Sequence, residues 1–282
     1  MNDWLFYALI SLAQLSFLMA LYKVPAAKQI DKYGLSAWSY FFATLFAGAL
    51  LYRSIYVDPE TILIAFLWGT GYSILTLVQM HVLHTQDTSS VFPFTTLVSN
   101  ILVVIGGVLF LNEYISLLQW VAISLAILLF VASYWNSRMQ FVVQVLPSFM
   151  FISLISTINK FVQKAGADHV STLNFIFWQL TFAFLVSLVI LFYVRKKIPF
   201  EQISHRPMLA WAFVSGIFQF GASYTIVTAL SLGPISLIYI ILGLYTFFTS
   251  LLANLFFKEK ITVKSILFIF LSFLIVLLIK FG

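Results

Sequence analysis

The stretch that decides the fold is FLNEYIS at residues 110–116, which returns in altered form as FKEKIT at residues 257–262. Each copy is a short polar break between two apolar runs. Each also stands one membrane-length run before the end of its half of the chain. Two halves that end in the same way indicate an internal duplication, a feature that many membrane transporters show as weak internal symmetry.

Further matches extend the duplication towards the start of each half. Three pairs of residues correspond, at two slightly different offsets: Lys23 with Lys160, Asp31 with Asp168, and Glu113 with Glu259. The residues that separate the two offsets fall in the long polar connection at 195–206 of the second half. The halves therefore align with one insertion in a loop, and we divide the chain into residues 1–138 and 139–282.

Composition places the chain in a membrane. Of its 282 residues, 62% are hydrophobic and 9% are charged, whereas soluble domains carry about 25% charged residues. Apolar runs of about 20 residues fit helices that cross a hydrocarbon core about 30 Å thick, and the short alternating strands of a barrel are not seen. The first run begins at Trp4 without the features of a cleavable signal. We expect an all-α, multi-pass protein of the cell (inner) membrane.

Hydropathy windows of about 19 residues predict ten transmembrane helices. In the first half they lie at 4–22, 35–55, 61–83, 90–111 and 117–135, and in the second at 141–162, 173–194, 209–231, 235–257 and 264–281. Five spans is an odd number, so the second copy enters the membrane from the opposite side to the first. This predicts two inverted five-helix repeats, an arrangement that places a substrate site near the midplane where the repeats meet.

The loop charges predict an orientation. The net charge is +6, and its expected partners are anionic lipids rather than nucleic acid. Four of the fifteen basic residues fall on the side of both termini: Arg53, Lys160, Lys164 and Lys280. The other eleven fall on the opposite side, so the positive-inside rule places the termini outside the cytoplasm.

The repeated pattern resembles a known family. Each half has a Lys after its first span, Lys23 or Lys160, and a Leu-Xaa-Glu-like break followed by a β-branched residue before its last span. With ten spans in two copies, the chain resembles the EamA-like branch of the drug/metabolite transporter superfamily. The resemblance implies a secondary transporter or exporter of small metabolites, with a cavity lined by the first, third, fourth, sixth, eighth and ninth spans. It also implies cytoplasmic termini, so both orientations stay open.

The chain departs from this pattern at mid-membrane positions. Many EamA-like members carry an Arg in the second span of each copy, where this chain has Phe42 and Gln179. The related small multidrug resistance proteins carry a Glu in the first span, where this chain has Gln14. Ionised side chains at that depth are costly and are kept for function. Their replacement weakens the case for drug efflux by a carboxylate that exchanges protons.

Polar side chains inside the spans are the candidate substrate contacts, because lipid cannot satisfy them. The amides among them are Gln14, Gln79, Asn100, Asn159, Gln179, Gln219 and Asn254. Hydrogen bonding between helices, worth about 0.6 kcal/mol in measured membrane cases, is the alternative explanation for each.

Helical spacing strengthens two groups of candidates. They are Trp68, Tyr72 and Gln79 on the third span, and Ser215, Gln219 and Ser223 with the adjacent Tyr224 on the eighth. With Gln14 and Gln179 they predict a cavity for a polar, uncharged or zwitterionic molecule. Packing in the core or in an interfacial belt is the alternative for the aromatic members.

The charged and titratable residues divide into two groups. His81 and His84 lie three apart and are candidates for a proton relay, with simple exposure at the interface as the alternative. No further ligand accompanies them, so no metal site is predicted. The remainder are interpreted as structural: Lys23 and Lys160 as interfacial anchors, and Glu113 and Glu259 as carboxylates at the positive ends of helices.

Together these features predict a non-enzymatic transporter that exports a small polar metabolite by alternating access. The expected partners are a small-molecule substrate and membrane lipids, without cofactor or metal, because no nucleotide-binding loop or nucleophile constellation is visible. One alternative is a transporter or flippase of nucleotide sugars or lipid-linked sugars, which requires basic groups in the cavity. A non-transporting membrane assembly subunit or enzyme is the alternative of another class. The oligomeric state stays open.

Overall fold

A computed structural model describes residues 3–28, 30–82, 88–134, 139–195, 206–257 and 263–282, which form helices and connections without a strand. In chain order the helices are α1 (Asp3–Leu21), α2 (Val24–Lys28), α3 (Lys32–Leu51), α4 (Pro59–Val82), α5 (Thr88–Phe110), α6 (Leu117–Tyr134), α7 (Met139–His169), α8 (Thr172–Arg195), α9 (Arg206–Leu232), α10 (Ile235–Gly243), α11 (Tyr245–Phe257) and α12 (Val263–Phe281). A 3₁₀ turn, Tyr52–Ser54, follows α3. The prediction of an all-helical protein is confirmed.

Several helices have the length and apolar surface of membrane spans. Among the described residues, five helical segments are long and apolar enough to cross: Asp3–Leu21, Lys32–Ser54, Pro59–Met80, Thr172–Val194 and Arg206–Leu232. Shorter apolar segments are Thr96–Phe110, Leu117–Leu129, Ile235–Thr249 and Ile266–Phe281. Outward-facing side chains such as Leu50, Phe110 and Phe270 are 68%, 79% and 70% exposed. A surface this apolar is stable against lipid and unfavourable in water.

Helices occupy all ten predicted segments, with two differences. The predicted sixth span ends at residue 162, but α7 continues to His169 and is 31 residues long. The predicted ninth span is divided into α10 and α11 at Leu244, which closes a tight turn through a 3.1 Å hydrogen bond from its N–H to the Ile241 carbonyl. Hydropathy detected neither feature, because polar residues in α7 lower its average and apolar residues continue across the break.

Local side-chain bonds fix where individual helices begin. The Asp58 carboxylate accepts from the Thr61 N–H at 3.0 Å and the Thr61 hydroxyl at 2.6 Å, and Pro59 takes the first helical position of α4. These bonds from Thr61 hold the pKa of Asp58 below its ordinary value. At the start of α6, Ser116 and Gln119 bond reciprocally to each other's backbone N–H, at 3.2 and 3.0 Å, as a capping box.

The helices of the two halves contact one another in a reciprocal pattern. Helix α1 of the first half packs on α9, and its counterpart α7 packs on α4. Helix α3 packs on α9, and its counterpart α8 packs on α4. Like elements also pair, since α3 contacts α8, α5 contacts α10, and α6 contacts α12. Helices at corresponding places in the two predicted repeats therefore make corresponding contacts.

Two glycines allow the closest of these approaches. A Cβ at Gly69 of α4 would lie 2.8 Å from the Ala183 backbone N and 2.9 Å from the Gln179 carbonyl O, both in α8. A Cβ at Gly216 of α9 would lie 2.9 Å from the Ser39 carbonyl O in α3. Small residues at such crossings let helix backbones approach closely in membranes. The two glycines occupy corresponding positions in the reciprocal pattern.

The Gly69 crossing generates a stability prediction. Gly69→Ala forces α4 and α8 apart, because the obstructing atoms are backbone, and we expect a loss of about 1–3 kcal/mol in unfolding free energy. The measurement is the thermal unfolding midpoint of the purified protein in detergent. Gly48→Ala is the matched control, because its Cβ would lie at an ordinary 3.6 Å from the Phe177 ring. Equal midpoints for the two variants would contradict the tight crossing.

Candidate functional site

A cavity of about 110 Å³ lies between helices of both halves. Its walls come from α1, α4 and α5 of the first half and from α7, α9, α10 and α11 of the second. These helices occupy the segments predicted as the first, third, fourth, sixth, eighth and ninth spans, the set that the family resemblance implies. Since an engineered cavity of about 150 Å³ binds benzene, this cavity has the size for a small molecule.

Five of the residues predicted to bind substrate line this cavity: Trp68, Tyr72, Gln79, Gln219 and Ser223. The rings of Trp68 and Tyr72 are stacked, with centroids 4.5 Å apart and planes 18° from parallel. Members of both predicted stripes, on α4 and on α9, thus lie in the wall of the same cavity.

Hydroxyl groups hold one of these amides in place. The Tyr22 hydroxyl donates to Gln219 Oε1 at 3.3 Å and lies 3.5 Å from Thr76 Oγ1. The Tyr40 hydroxyl lies 2.7 Å from the same Thr76 oxygen. Gln219 is 3% exposed, so its polar atoms depend on these partners and on the cavity. The network joins the end of α1 with α3, α4 and α9 across the two halves.

Four predicted contacts lie away from the cavity lining: Gln14, Gln179, Ser215 and Tyr224. Gln14 Oε1 accepts from the Thr225 hydroxyl at 2.8 Å, so this amide joins α1 to α9. Gln179 is fully buried, and its amide atoms have no partner among the described residues. Polarity within a span therefore identified residues that face protein, but it did not identify which of them face the cavity.

Three other predicted residues cannot be placed in this geometry. The side chain of His81, together with His84 and Glu259, lies outside the described residues. The proton relay and the second helix-end carboxylate therefore stay predictions. Lys23 lies in the turn that follows α1, near the position expected for an anchor at the end of that helix.

Two more of the candidate amides, Asn100 and Asn159, line the cavity, together with polar residues that were not assigned to it from sequence: Thr96, Ser156, Lys160, Gln163, Tyr239 and Tyr245. Most of them share a detectable signal, because Ser156, Lys160 and Gln163 are spaced by four and three along α7, on one helical face. Thr96 and Asn100 are likewise spaced by four along α5. Because the predicted sixth span ends at residue 162, Lys160 was interpreted as lying at a helix end and not as part of a stripe on α7.

Lys160 does not occupy the interfacial position predicted for it. Because α7 continues to His169, Lys160 lies about two and a half turns before the end of the helix. Its Nζ donates to Ser99 Oγ at 2.8 Å and to Asn100 Oδ1 at 2.7 Å, and lies 4.9 Å from the centroid of the Tyr239 ring. Within the described lining of the cavity, Lys160 is the one charged side chain.

Glu113 binds the start of the buried helix α10. Its Oε1 accepts from the Ile235 N–H at 2.5 Å and its Oε2 from the Ser236 N–H at 3.1 Å. Asn112, with φ of 52°, turns the chain after α5 so that Glu113 points to this site. A carboxylate is favourable at a helix N-terminus. The sequence placed Glu113 at the next helix of its own half, whereas the structure places it at a helix of the other half.

Two more side chains from neighbouring helices support α10. Asn100 Nδ2 donates to the Tyr239 carbonyl at 2.8 Å. Lys164 Nζ donates to the Leu230 carbonyl at 2.6 Å at the end of α9, and pairs with Asp168 at 2.9 Å. The connection between α9 and α10 and the wall formed by α10 are thus fixed by polar contacts from α5 and α7.

Comparison with known proteins identifies the family. Residues 145–281 match the model of the EamA-like transporter family. The second half of the chain is therefore similar to this family. The family is part of the drug/metabolite transporter superfamily, and its members are transporters rather than enzymes. This similarity implies a multi-pass membrane transporter of the same type, and the recognition made from the repeated motifs is confirmed.

The fold itself is shared with a protein of known structure. A solved crystal structure superposes with a TM-score of 0.73, covering 97% of this chain and 98% of that chain at 12% sequence identity. At this identity the similarity establishes the fold alone. No curated protein matches the EamA-like chain.

The Glu113 contact generates a second prediction. Glu113→Ala leaves two backbone N–H groups without their charged acceptor, and we expect a loss of about 2–4 kcal/mol in unfolding free energy. Glu113→Gln retains one acceptor oxygen and should lose less. Glu60→Gln, at an exposed position in the first turn of α4, is the control for removing a carboxylate. Thermal unfolding in detergent measures all three, and a Glu113→Ala protein as stable as Glu60→Gln would contradict the assignment.

Proposed function

We propose that this EamA-like protein is a secondary transporter that exports a small organic metabolite by alternating access through the 110 Å³ cavity. The observation that carries the proposal is the position of the cavity, which lies between helices of both halves and is lined by polar side chains from each. A site at such a boundary changes shape whenever the two halves move against each other. The expected location is the cell (inner) membrane.

The proposal includes ten spans in two inverted repeats, residues 1–138 and 139–282. The reciprocal helix contacts support it, because two copies related by a two-fold axis use the same surfaces in exchanged roles. The corresponding positions of Gly69 and Gly216, each at a backbone crossing with the other half, support it independently.

The division between α10 and α11 supplies a place for movement. Leu242 and Gly243 at the end of α10, and Tyr245 at the start of α11, line the cavity on the two sides of the break. Transporters use discontinuous helices at their substrate sites. We infer that α11 moves relative to α10, because Glu113 and Asn100 hold α10 in place.

The size of the cavity disfavours the sugar alternatives. A nucleotide sugar or a lipid-linked sugar is several times larger than the benzene that fills a cavity of about 150 Å³. One cation, Lys160, faces the cavity from the described residues, whereas a diphosphate group is normally bound by several basic side chains. An assembly subunit without transport activity would have no need for a polar cavity, which must be solvated or filled.

Transport can be tested with the purified protein in sealed vesicles. The vesicles are preloaded with an unlabelled mixture of amino acids, monosaccharides, nucleosides and monocarboxylates, and uptake of each labelled solute is measured by counterflow. Gln219→Ala should lower the uptake of the transported solute about threefold to tenfold, since it removes one buried hydrogen-bonding group. Thr70→Ala, on α4 but outside the cavity lining, should have no effect. Equal uptake by the wild-type protein, Gln219→Ala and Thr70→Ala would show that Gln219 does not bind the solute.

A second variant tests the cavity itself. Ser223 lines the cavity from α9 and is 3% exposed, so Ser223→Phe places a ring in a space of about the size of benzene. We expect counterflow to disappear while the protein remains monodisperse on gel filtration. Full counterflow in a folded Ser223→Phe protein would show that solute passes elsewhere.

A further inference from the structure

The cavity has one positive charge and, among the described residues that line it, no negative one. The other polar groups in the lining are amides, alcohols and phenols, which are neutral at physiological pH. Lys160 is therefore the side chain in the described lining that can carry a positive charge.

The ammonium group of Lys160 is held by neutral partners. Its contacts with Ser99 Oγ and Asn100 Oδ1 use two of its three donors. No carboxylate of the described residues pairs with it, whereas Lys164, one turn further along α7, pairs with Asp168. A cation away from bulk water is costly without a counter-charge. The face of the Tyr239 ring, 4.9 Å from Nζ, is a further neutral partner. The geometry therefore leaves one N–H donor, and a charge without a carboxylate partner among the described residues, for an anion in the cavity.

Neighbouring bonds keep this donor in position. Ser99 Oγ donates to Ser156 Oγ at 3.2 Å and also accepts from the Thr157 hydroxyl at 3.2 Å. Asn100 uses its carbonyl oxygen for Lys160 and its Nδ2 for the Tyr239 carbonyl. With these partners fixed, Ser99 and Asn100 act as positioning residues that hold the ammonium at the cavity wall.

The other positive site near the cavity is already occupied. The N-terminus of α10 is a favourable place for an anion, but the Glu113 carboxylate accepts from both of its first amides. An incoming anion would be repelled there. Lys160 is thus the one charged group in the described lining that can receive it.

The remaining walls favour an apolar body attached to that anionic group. The stacked rings of Trp68 and Tyr72 form one surface. Aliphatic side chains form others, among them Leu15, Leu75 and Ile152. Flat and branched apolar surfaces of this kind bind hydrocarbon groups by removing them from water.

We propose that the solute is a small organic monocarboxylate, with its carboxylate paired to Lys160 and its hydrocarbon part against the Trp68–Tyr72 surface. This inference rests on the proposed transport function and narrows its substrate class. A zwitterion would bring a second ammonium group into the cavity, for which the described lining offers no carboxylate. Inorganic phosphate shares the anionic chemistry but leaves the apolar walls unused.

Binding can be measured without vesicles, which avoids leakage of weak acids through lipid. The wild-type protein is kept in detergent, in a buffer that contains neither phosphate nor carboxylates. It is titrated separately with isobutyrate, isobutyramide, isobutylamine and inorganic phosphate, and the rise in its thermal unfolding midpoint is recorded. We expect isobutyrate to stabilise the protein and the other three compounds to bind at least tenfold more weakly. The amide and the amine lack the negative charge, and phosphate lacks the apolar group. Acetate and benzoate extend the series to smaller and larger acids.

Two variants locate the binding charge. Lys160→Met keeps a long apolar side chain and should weaken isobutyrate binding at least tenfold, whereas Lys160→Arg should retain part of it. Lys164→Met removes a positive charge one turn away, outside the cavity lining, and should change the midpoint of the free protein but not the increase caused by isobutyrate. If Lys160→Met does not fold, the selectivity of the wild-type protein between acid, amide and amine still decides the question.

Several results would overturn the proposal. The first is that the amide, the amine or phosphate binds as tightly as the acid. The second is that Lys160→Met binds isobutyrate as tightly as the wild-type protein, and the third is that no acid in the series binds. Failure of the transport function is recognised separately, because then no solute accumulates in the counterflow assay. If a neutral solute shows counterflow that Ser223→Phe blocks and Lys160→Met leaves unchanged, the proposal of an anionic substrate is wrong but the proposed transport function stands.

Discussion

The structure depends on the need to satisfy the polar ends of helix α10 inside the protein. All nine of its residues are buried, and a helix leaves several N–H and C=O groups unpaired at each end. Neither lipid nor bulk water can supply their partners at such a position. Glu113 therefore pairs with the first amides of α10, and Lys164 supports the carbonyl end of the preceding helix. Both of these charged side chains come from helices or turns packed around α10.

The same requirement shapes the cavity. Asn100 bonds to the Tyr239 carbonyl of α10 with one end of its amide and accepts from Lys160 with the other. A single side chain of α5 thus joins the wall of the cavity to its charged group. The position of the Lys160 ammonium is therefore tied to that of α10 through this amide. The support of α10 and the position of the charged group in the cavity consequently depend on one hydrogen-bonded chain.

The sequence predicted those features that depend on periodicity and repetition. Regular apolar runs indicated an all-helical membrane protein, and the matching breaks around Glu113 and Glu259 indicated the family. Trp68, Tyr72, Gln79, Gln219 and Ser223 were identified because polar and aromatic groups recur at helical spacing on spans whose limits hydropathy locates well.

The rest could not be predicted because it depends on neighbours. Gln14 and Gln179 are as polar as Gln219, but each amide faces a helix surface instead of the cavity, and only packing decides between the two. Lys160 was misplaced because the predicted sixth span ends at residue 162, which puts this lysine close to a helix end. The structure shows that α7 remains helical past it. The break at Leu244 was missed since both of its sides are equally apolar.

The contact of Glu113 with α10 also constrains how the protein is made. It joins residues 122 positions apart in the chain, so the ribosome has finished most of the polypeptide before the acceptor and its donors coexist. Until then the carboxylate must stay hydrated at the membrane surface, because burying it unpaired is costly. The loop that carries it can therefore settle only when α10 arrives. Docking of this short helix is accordingly a late step in membrane assembly, and it completes both halves at once.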